Sequence, residues 1–160
     1  MELALDQVMV SVMAQINRNA IIDLPPFRIG DEDRSTLEPY IAFLPPEGTY
    51  MELTGDQYTA DMSLFIIVMH NTRLMANQLS HEITKYILQD RSLVQLVDEE
   101  GNQQGYKHIK SVVSREMVSN NPNLFGMALE IEYRGGAGFI KKSSTVVDGL
   151  FISQNKQTQE

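Results

Sequence analysis

Residues 58–69 read Tyr-Thr-Ala-Asp-Met-Ser-Leu-Phe-Ile-Ile-Val-Met, and the fold turns on how that stretch is read. Tyr58, Ala60, Met62, Leu64, Ile66 and Val68 share one side of a period-two pattern. Thr59, Asp61 and Ser63 open the other side, which becomes apolar at Phe65, Ile67 and Met69. Period two is the signature of a strand, because successive side chains point to opposite faces of a sheet. A strand that is polar on one face at its start and apolar on both at its end is expected to run from an edge into the middle of a sheet.

Upstream of this strand, residues 50–54 read as a short strand and Gly55-Asp56 as a turn. Residues 37–44 carry Ile41, Ala42, Phe43 and Leu44, a buried strand expected to stop at Pro45-Pro46-Glu47-Gly48. Residues 30–35 (GDEDRS) read as an exposed acidic loop. Near the N-terminus Leu5, Val8, Met9, Val12, Met13 and Ile16 recur at helical spacing, with Gln7, Gln15 and Asn17 on the opposite face. This predicts a helix over about residues 3–18, with Leu24-Pro25-Pro26 barring its continuation.

Downstream, Asn71 offers a side-chain oxygen to the free amides of a first helical turn. Met75, Leu79, Ile83, Tyr86 and Ile87 then line one face of a second helix, to about Gln89, while Arg73, Gln78, Glu82 and Lys85 face away. Asp98-Glu99-Glu100-Gly101 marks a turn, and two more strands are expected over residues 107–118 and 124–134. The second of these alternates Met127, Leu129, Ile131 and Tyr133 against Ala128, Glu130 and Glu132. Ser119-Asn120-Asn121-Pro122-Asn123 turns between them, and Arg134-Gly135-Gly136-Ala137-Gly138 is expected to end the sheet. The order helix, strands, helix, strands defines an α+β class, a mainly antiparallel sheet packed by two amphipathic helices. One domain is expected over residues 1–152, with residues 153–160 as a polar, flexible tail.

The 160 residues hold no cysteine, which removes thiol nucleophiles, disulfides and Cys-ligated metal centres together. Glu2 and Asp6 stand where a secretory leader would be basic, and the longest apolar run, residues 64–69, is far below the roughly 20 residues of a membrane helix. Neither a cleaved signal nor a membrane span is expected. Thirteen basic residues against 21 acidic ones give a net charge of −8. Phosphate backbones are held mainly by Lys and Arg, and the only basic run is Lys141-Lys142, so specific nucleic-acid binding is not expected.

Catalytic constellations are equally hard to find. His70, His81 and His108 are scattered, and His81-Glu82 lacks the second His of a zinc helix. A strand end suits His70, and a helix surface suits His81. No Ser occupies a nucleophile elbow, and RGGAG lacks the Gly-Lys-Ser/Thr ending of a phosphate loop. The acidic runs Asp31-Glu32-Asp33 and Asp98-Glu99-Glu100 lack the alternation that wraps calcium, and read instead as solvated or channel-facing loops. Met9, Met13, Met62, Met69, Met75 and Met127 all fall on expected core faces, as gap-filling residues. No enzyme, cofactor or metal is expected.

Phe139, Ile140, Val146, Leu150, Phe151 and Ile152, with Val147, follow the point where the sheet is expected to end. Apolar surplus at that place is a candidate subunit contact, able to add a strand to a neighbour's sheet edge.

The segment YIAFLPPEGTY (residues 40–50) leads into MELTGDQYTADMSLFIIVMHN (residues 51–71) and then a capped amphipathic helix. This pattern resembles the tail-terminator, or minor tail, proteins of long-tailed bacteriophages, and the order of elements is similar over nearly the whole chain. The resemblance implies a virion protein made in the host cytoplasm: a homo-oligomeric, hexameric ring that caps the tail tube and joins it to the head connector. Its partners would be its own copies, the tail tube protein and the connector or neck protein. A head-completion or neck adaptor is the alternative within that class. A ligand-binding or enzymatic domain, with a pocket between the second helix and the sheet, is the alternative outside it.

Overall fold

The computed structural model describes residues 6–30, 38–54, 57–98, 100–118 and 122–139. In chain order these form α1 (Gln7–Asn19), β1 (Phe27–Ile29), β2 (Tyr40–Thr54), β3 (Gln57–His70), α2 (Arg73–Leu88), β4 (Leu93–Val97), β5 (Gln103–Met117) and β6 (Phe125–Phe139). The fold is α+β. Its six strands are ordered β1-β2-β3-β6-β5-β4, and the sheet is mostly antiparallel. The exception is β1, which lies parallel to β2 through Phe27↔Ile41, Arg28↔Ala42 and Ile29↔Phe43. Two compact units are distinguished, residues 1–48 with 62–134 and residues 49–61 with 135–160, so β2, β3 and β6 contribute residues to both.

Local chemistry sets the helix boundaries. The Asp6 carboxylate accepts from the N–H groups of Val8 (2.9 Å) and Met9 (3.0 Å), satisfying donors that have no partner within the helix. At α2 the cap is Thr72, one residue beyond the expected Asn71: its hydroxyl accepts from Met75 N–H at 3.1 Å. Asn71 instead donates its backbone N–H to Nδ1 of His70 at 2.9 Å. Met75, expected in the core, is 45% exposed, and Ala76 is buried at the start of the α2 core face instead.

In the first unit, Val12 and Ile16 of α1, and Ile83 and Ile87 of α2, pack against Ile41, Phe43, Leu64, Ile66, Val68, Leu129 and Ile131, and all are fully buried. Burying each such side chain is worth about 1.5–3 kcal/mol before conformational entropy is counted. The opposite parity of β3 builds a second, smaller cluster, in which Met69 packs with Tyr40, Ala42 and Leu124 beside Ile67. The expected two-faced burial at the end of this strand is therefore present, and β3 is an interior strand of the sheet. Rings of Phe27 and Phe43 meet at 5.1 Å, and the Arg28 guanidinium lies 4.2 Å from the Tyr40 ring centroid. Both contacts help hold the short β1 on β2.

Four sequence expectations are corrected. β2 does not stop at Pro45-Pro46 but continues to Thr54, joining two expected strands into one. Ile41 and Phe43 turn their backbone groups outward to β1, through Ile41 N–H to Pro26 O (3.0 Å) and Gly30 N–H to Phe43 O (2.8 Å). By alternation Pro45 also faces outward, where its missing N–H removes no bond to β3. β6 likewise continues through Arg134-Gly135-Gly136-Ala137-Gly138 to Phe139 instead of ending there. Neither β1 nor β4 is among the strands that the sequence pattern predicts. Finally, Gln15 is not on a solvated face, since it is 1% exposed.

Candidate assembly surface

The two outer edges of a sheet decide what it can join, because each carries unpaired N–H and C=O groups. At β4 four of the groups of Leu93, Gln95 and Val97 that point away from β5 are met by α1. Gln15 Nε2 donates to Leu93 O (3.2 Å), and Gln15 Oε1 accepts from Gln95 N–H (3.3 Å). Ser11 Oγ accepts from Val97 N–H (2.9 Å), and Gln7 Nε2 donates to Val97 O (3.2 Å). Gln7, Ser11 and Gln15 are spaced four apart, so they stack on one side of α1 with a rise of about 6 Å per step, close to the two-residue repeat of a strand. A polar stripe of the helix thus takes the place of a neighbouring strand. This edge is closed.

The β2 edge is different. β1 pairs with it over only three residues, ending at Phe43. The last of these contacts is the Gly30 N–H bond to Phe43 O. In the second unit Thr49, Tyr50, Met51 and Glu52 are four consecutive strand residues that are all exposed. Tyr50 is 66% and Met51 45% exposed, and as neighbours in a strand they point to opposite faces. Large apolar side chains exposed on both faces of one strand mark a contact surface.

A cleft of about 610 Å³ lies in the first unit, between the connector after α1 and the first turns of α2. Ile22, Asp23 and Pro25 form one wall, Met75, Gln78, Leu79 and Glu82 the other, with His70 and His81 also lining it. The sequence gave no reason to associate these two histidines, which stand on different elements. Burial lowers the His70 pKa below the ordinary histidine value, which suits an Nδ1 that accepts from Asn71. The Glu82 carboxylate accepts from Lys85 Nζ at 3.0 Å, and that bond holds its pKa below the ordinary value. Where the ligand-binding alternative would need a pocket, between α2 and the sheet, Leu79, Ile83, Tyr86 and Ile87 are packed into the core. No group of three His, Asp or Glu able to hold a metal occurs among the described residues.

Of the candidate subunit-contact residues, Phe139 is the last residue of β6. Ile140, Val146, Leu150, Phe151 and Ile152 lie outside the described residues, as does the expected tail of residues 153–160. Among the candidate acidic loops, Asp31, Glu32, Asp33 and Glu99 also lie outside them. Asp98 organises the turn between β4 and β5. Its Oδ1 accepts from Glu100 N–H (2.9 Å) and Asn102 N–H (2.8 Å), and its Oδ2 from Gln104 Nε2 (3.0 Å). These bonds, the one from Asn102 N–H first, hold its carboxyl pKa below the ordinary value. Glu100 is exposed in the same turn. Within the sheet, Glu130 accepts from Ser63 (3.1 Å) and pairs with Arg115 (3.5 Å), and Glu132 accepts from Ser111 (3.2 Å).

No protein-family model matches the chain, and no curated protein matches it. Among the described residues no helix is long and apolar enough to cross a membrane.

Proposed function

We propose that the chain is a non-enzymatic structural subunit of a virion, a tail terminator whose copies form a ring that caps the tail tube of a long-tailed bacteriophage and joins it to the head connector. The observation that carries this reading is the exposure of Thr49–Glu52, with Tyr50 and Met51 exposed on opposite faces of one strand. A closed ring needs a heterologous contact, in which one patch of each copy meets a different patch of the next. The exposed Tyr50 and Met51 differ in character from the β4 edge that α1 closes, and a contact between unlike patches needs such a difference. The net charge of −8 suits a ring through which DNA passes without sticking.

Mass photometry or negative-stain microscopy of the purified chain tests the reading. Rings of a single size, bound to the ends of purified tail tubes, are expected. A strictly monomeric chain at high concentration that leaves tail tubes uncapped would overturn it. Binding to portal-bearing heads in place of tail tubes would assign the neck-adaptor role.

The cleft favours a second reading, a small-ligand site, since apolar walls with a few convergent polar groups are the usual composition of such sites. A fragment screen by NMR that shifts His70 and Met75 together would support it.

A further inference from the structure

We infer that the cleft between the connector after α1 and the first turns of α2 docks a segment of a partner protein in which apolar residues flank a lysine or arginine. The two walls of this cleft are fastened to each other. Asn19 Nδ2 donates to Tyr86 O (2.9 Å), and Ile21 N–H donates to the Tyr86 hydroxyl (3.3 Å), so the connector is tied to α2. Tyr86 is 2% exposed, which makes it a fixed anchor. A site held this way needs little ordering when a partner arrives.

Apolar exposure runs through the cleft and past its rim. Ile22 and Met75, one on each wall, are both 45% exposed. Ile21, next to Ile22 in the chain, is 83% exposed. Leu74 is 65% exposed, and it precedes the lining residues Gln78 and His81 by four and seven positions, so the three share one face of α2. A small molecule seated in the cleft leaves Ile21 and Leu74 in water. A protein segment lying across the cleft covers them as well, and extended apolar exposure marks contacts of that kind.

Charge selects the segment. Beside the two histidines, the ionisable side chains among the described lining residues are both acidic, Asp23 on the connector and Glu82 on α2. Lys85 already engages Glu82 at 3.0 Å, which leaves Asp23 as the carboxylate that meets an incoming cation. A lysine or arginine can lay its aliphatic stem on Ile22 and Met75 while its head reaches Asp23. An acidic segment would meet like charge at both carboxylates. The contact is independent of ring formation, and it differs from the small-ligand reading in its occupant.

The probes are the capped tripeptide acetyl-Leu-Arg-Leu-amide, its Leu-Glu-Leu counterpart and ethylguanidinium. Each is titrated into the full-length chain at pH 8, where histidine is ordinarily uncharged. NMR signals of the Ile22 and Met75 methyl groups and of the His70 and His81 rings report occupancy. The arginine peptide is expected to shift them with millimolar affinity, and the glutamate peptide to leave them in place. Asp23→Asn and Leu74→Ser should each weaken the arginine peptide about two- to fivefold. Both replaced residues are exposed, so an unchanged far-UV spectrum is expected for each variant. No shift with the arginine peptide up to about 10 mM overturns the inference. So does equal binding of the glutamate peptide, or an unchanged affinity in either variant. Ethylguanidinium bound as tightly as the peptide would assign the cleft to a small cation and overturn the protein partner.

Discussion

Gln15 and Leu93 are joined by a side-chain amide donating to a backbone carbonyl at 3.2 Å, and the oxygen of the same carboxamide accepts from Gln95 N–H at 3.3 Å. The amide nitrogen also donates to Ile87 O at 3.0 Å, the end of α2. One buried side chain therefore fastens α1 to both α2 and β4. Replacing it with a leucine of similar volume leaves backbone groups without partners in a site that water does not reach. Gln15→Leu is expected to destabilise the fold by about 2–4 kcal/mol. That is a fall of roughly 5–15 °C in Tm for a chain of this size. Ser11→Ala, which strands only Val97 N–H, should lose about 1–2 kcal/mol. Urea denaturation followed by circular dichroism measures both, and a Gln15→Leu chain as stable as the parent would show that the edge closure is idle.

Close packing at Gly126 yields a second test. A Cβ built there would stand 2.7 Å from both Met117 Cγ and Met69 Sδ. Both neighbours are flexible thioether chains, so they can yield, at the expense of the small cluster that Met69 forms with Tyr40 and Leu124. Gly126→Ala is expected to cost about 1 kcal/mol, and Gly126→Val about 2–3 kcal/mol. Combining Gly126→Ala with Met117→Ala should recover part of the first loss. A double-mutant cycle with a coupling of at least about 0.5 kcal/mol would establish that the two residues share one space.

How much of this architecture the sequence discloses depends on whether a residue's partner is near it in the chain. Strand β3 is visible in residues 58–69 because period two is a property of the strand alone. The helix faces are visible for the same reason, except at Met75, which lies at the margin of the buried face that Ala76 begins. Pro45 is misleading because proline forbids a strand only where its N–H is needed, and an edge has one side where it is not; the structure shows no such reason for Pro46. Glycines 135, 136 and 138 mislead likewise, since their depletion in strands is a tendency and β6 runs through them. Gln15 reads as solvated because its partners Ile87, Leu93 and Gln95 lie more than seventy residues away. The five residues of β4 are too few for their period to separate a strand from a helix end. As for the assembly surface, exposure of Tyr50 and Met51 follows from which strands flank β2, a topological fact that no local pattern carries.

Asp98 holds the turn between β4 and β5 by accepting from two backbone N–H groups and from Gln104. An asparagine keeps one acceptor oxygen in the same place, whereas alanine keeps none. Asp98→Ala should lower the denaturation midpoint, and Asp98→Asn should lower it less. The acid limb distinguishes the two states of the native carboxyl. Because its folded pKa lies below the ordinary value, its contribution is present above the unfolded pKa and lost as pH falls through the folded one. Midpoints recorded from pH 6 down to pH 2 should therefore converge for Asp98→Asn and the parent chain at the acid end. Curves that stay parallel would show that the ionised form has no role in the turn.

His70 supplies the opposite titration. Burial lowers its pKa, and its Nδ1 accepts from Asn71 N–H at 2.9 Å, a bond only an unprotonated Nδ1 can accept. A histidine whose folded pKa lies below its unfolded value binds fewer protons when folded. Its contribution is thus complete above the unfolded value, near pH 6.5, and declines as pH falls through that value to the folded pKa. The parent chain should lose a modest part of its stability as pH falls below about 6.5, in addition to the later loss from carboxylates. His70→Asn retains a side-chain acceptor without a proton to gain, and should flatten that window while leaving stability at pH 8 within about 0.5 kcal/mol of the parent. NMR titration of the His70 ring gives the midpoint directly. A midpoint at or above the value in the urea-unfolded chain would show that burial at the end of β3 does not disfavour the imidazolium, and that the slope belongs to another group.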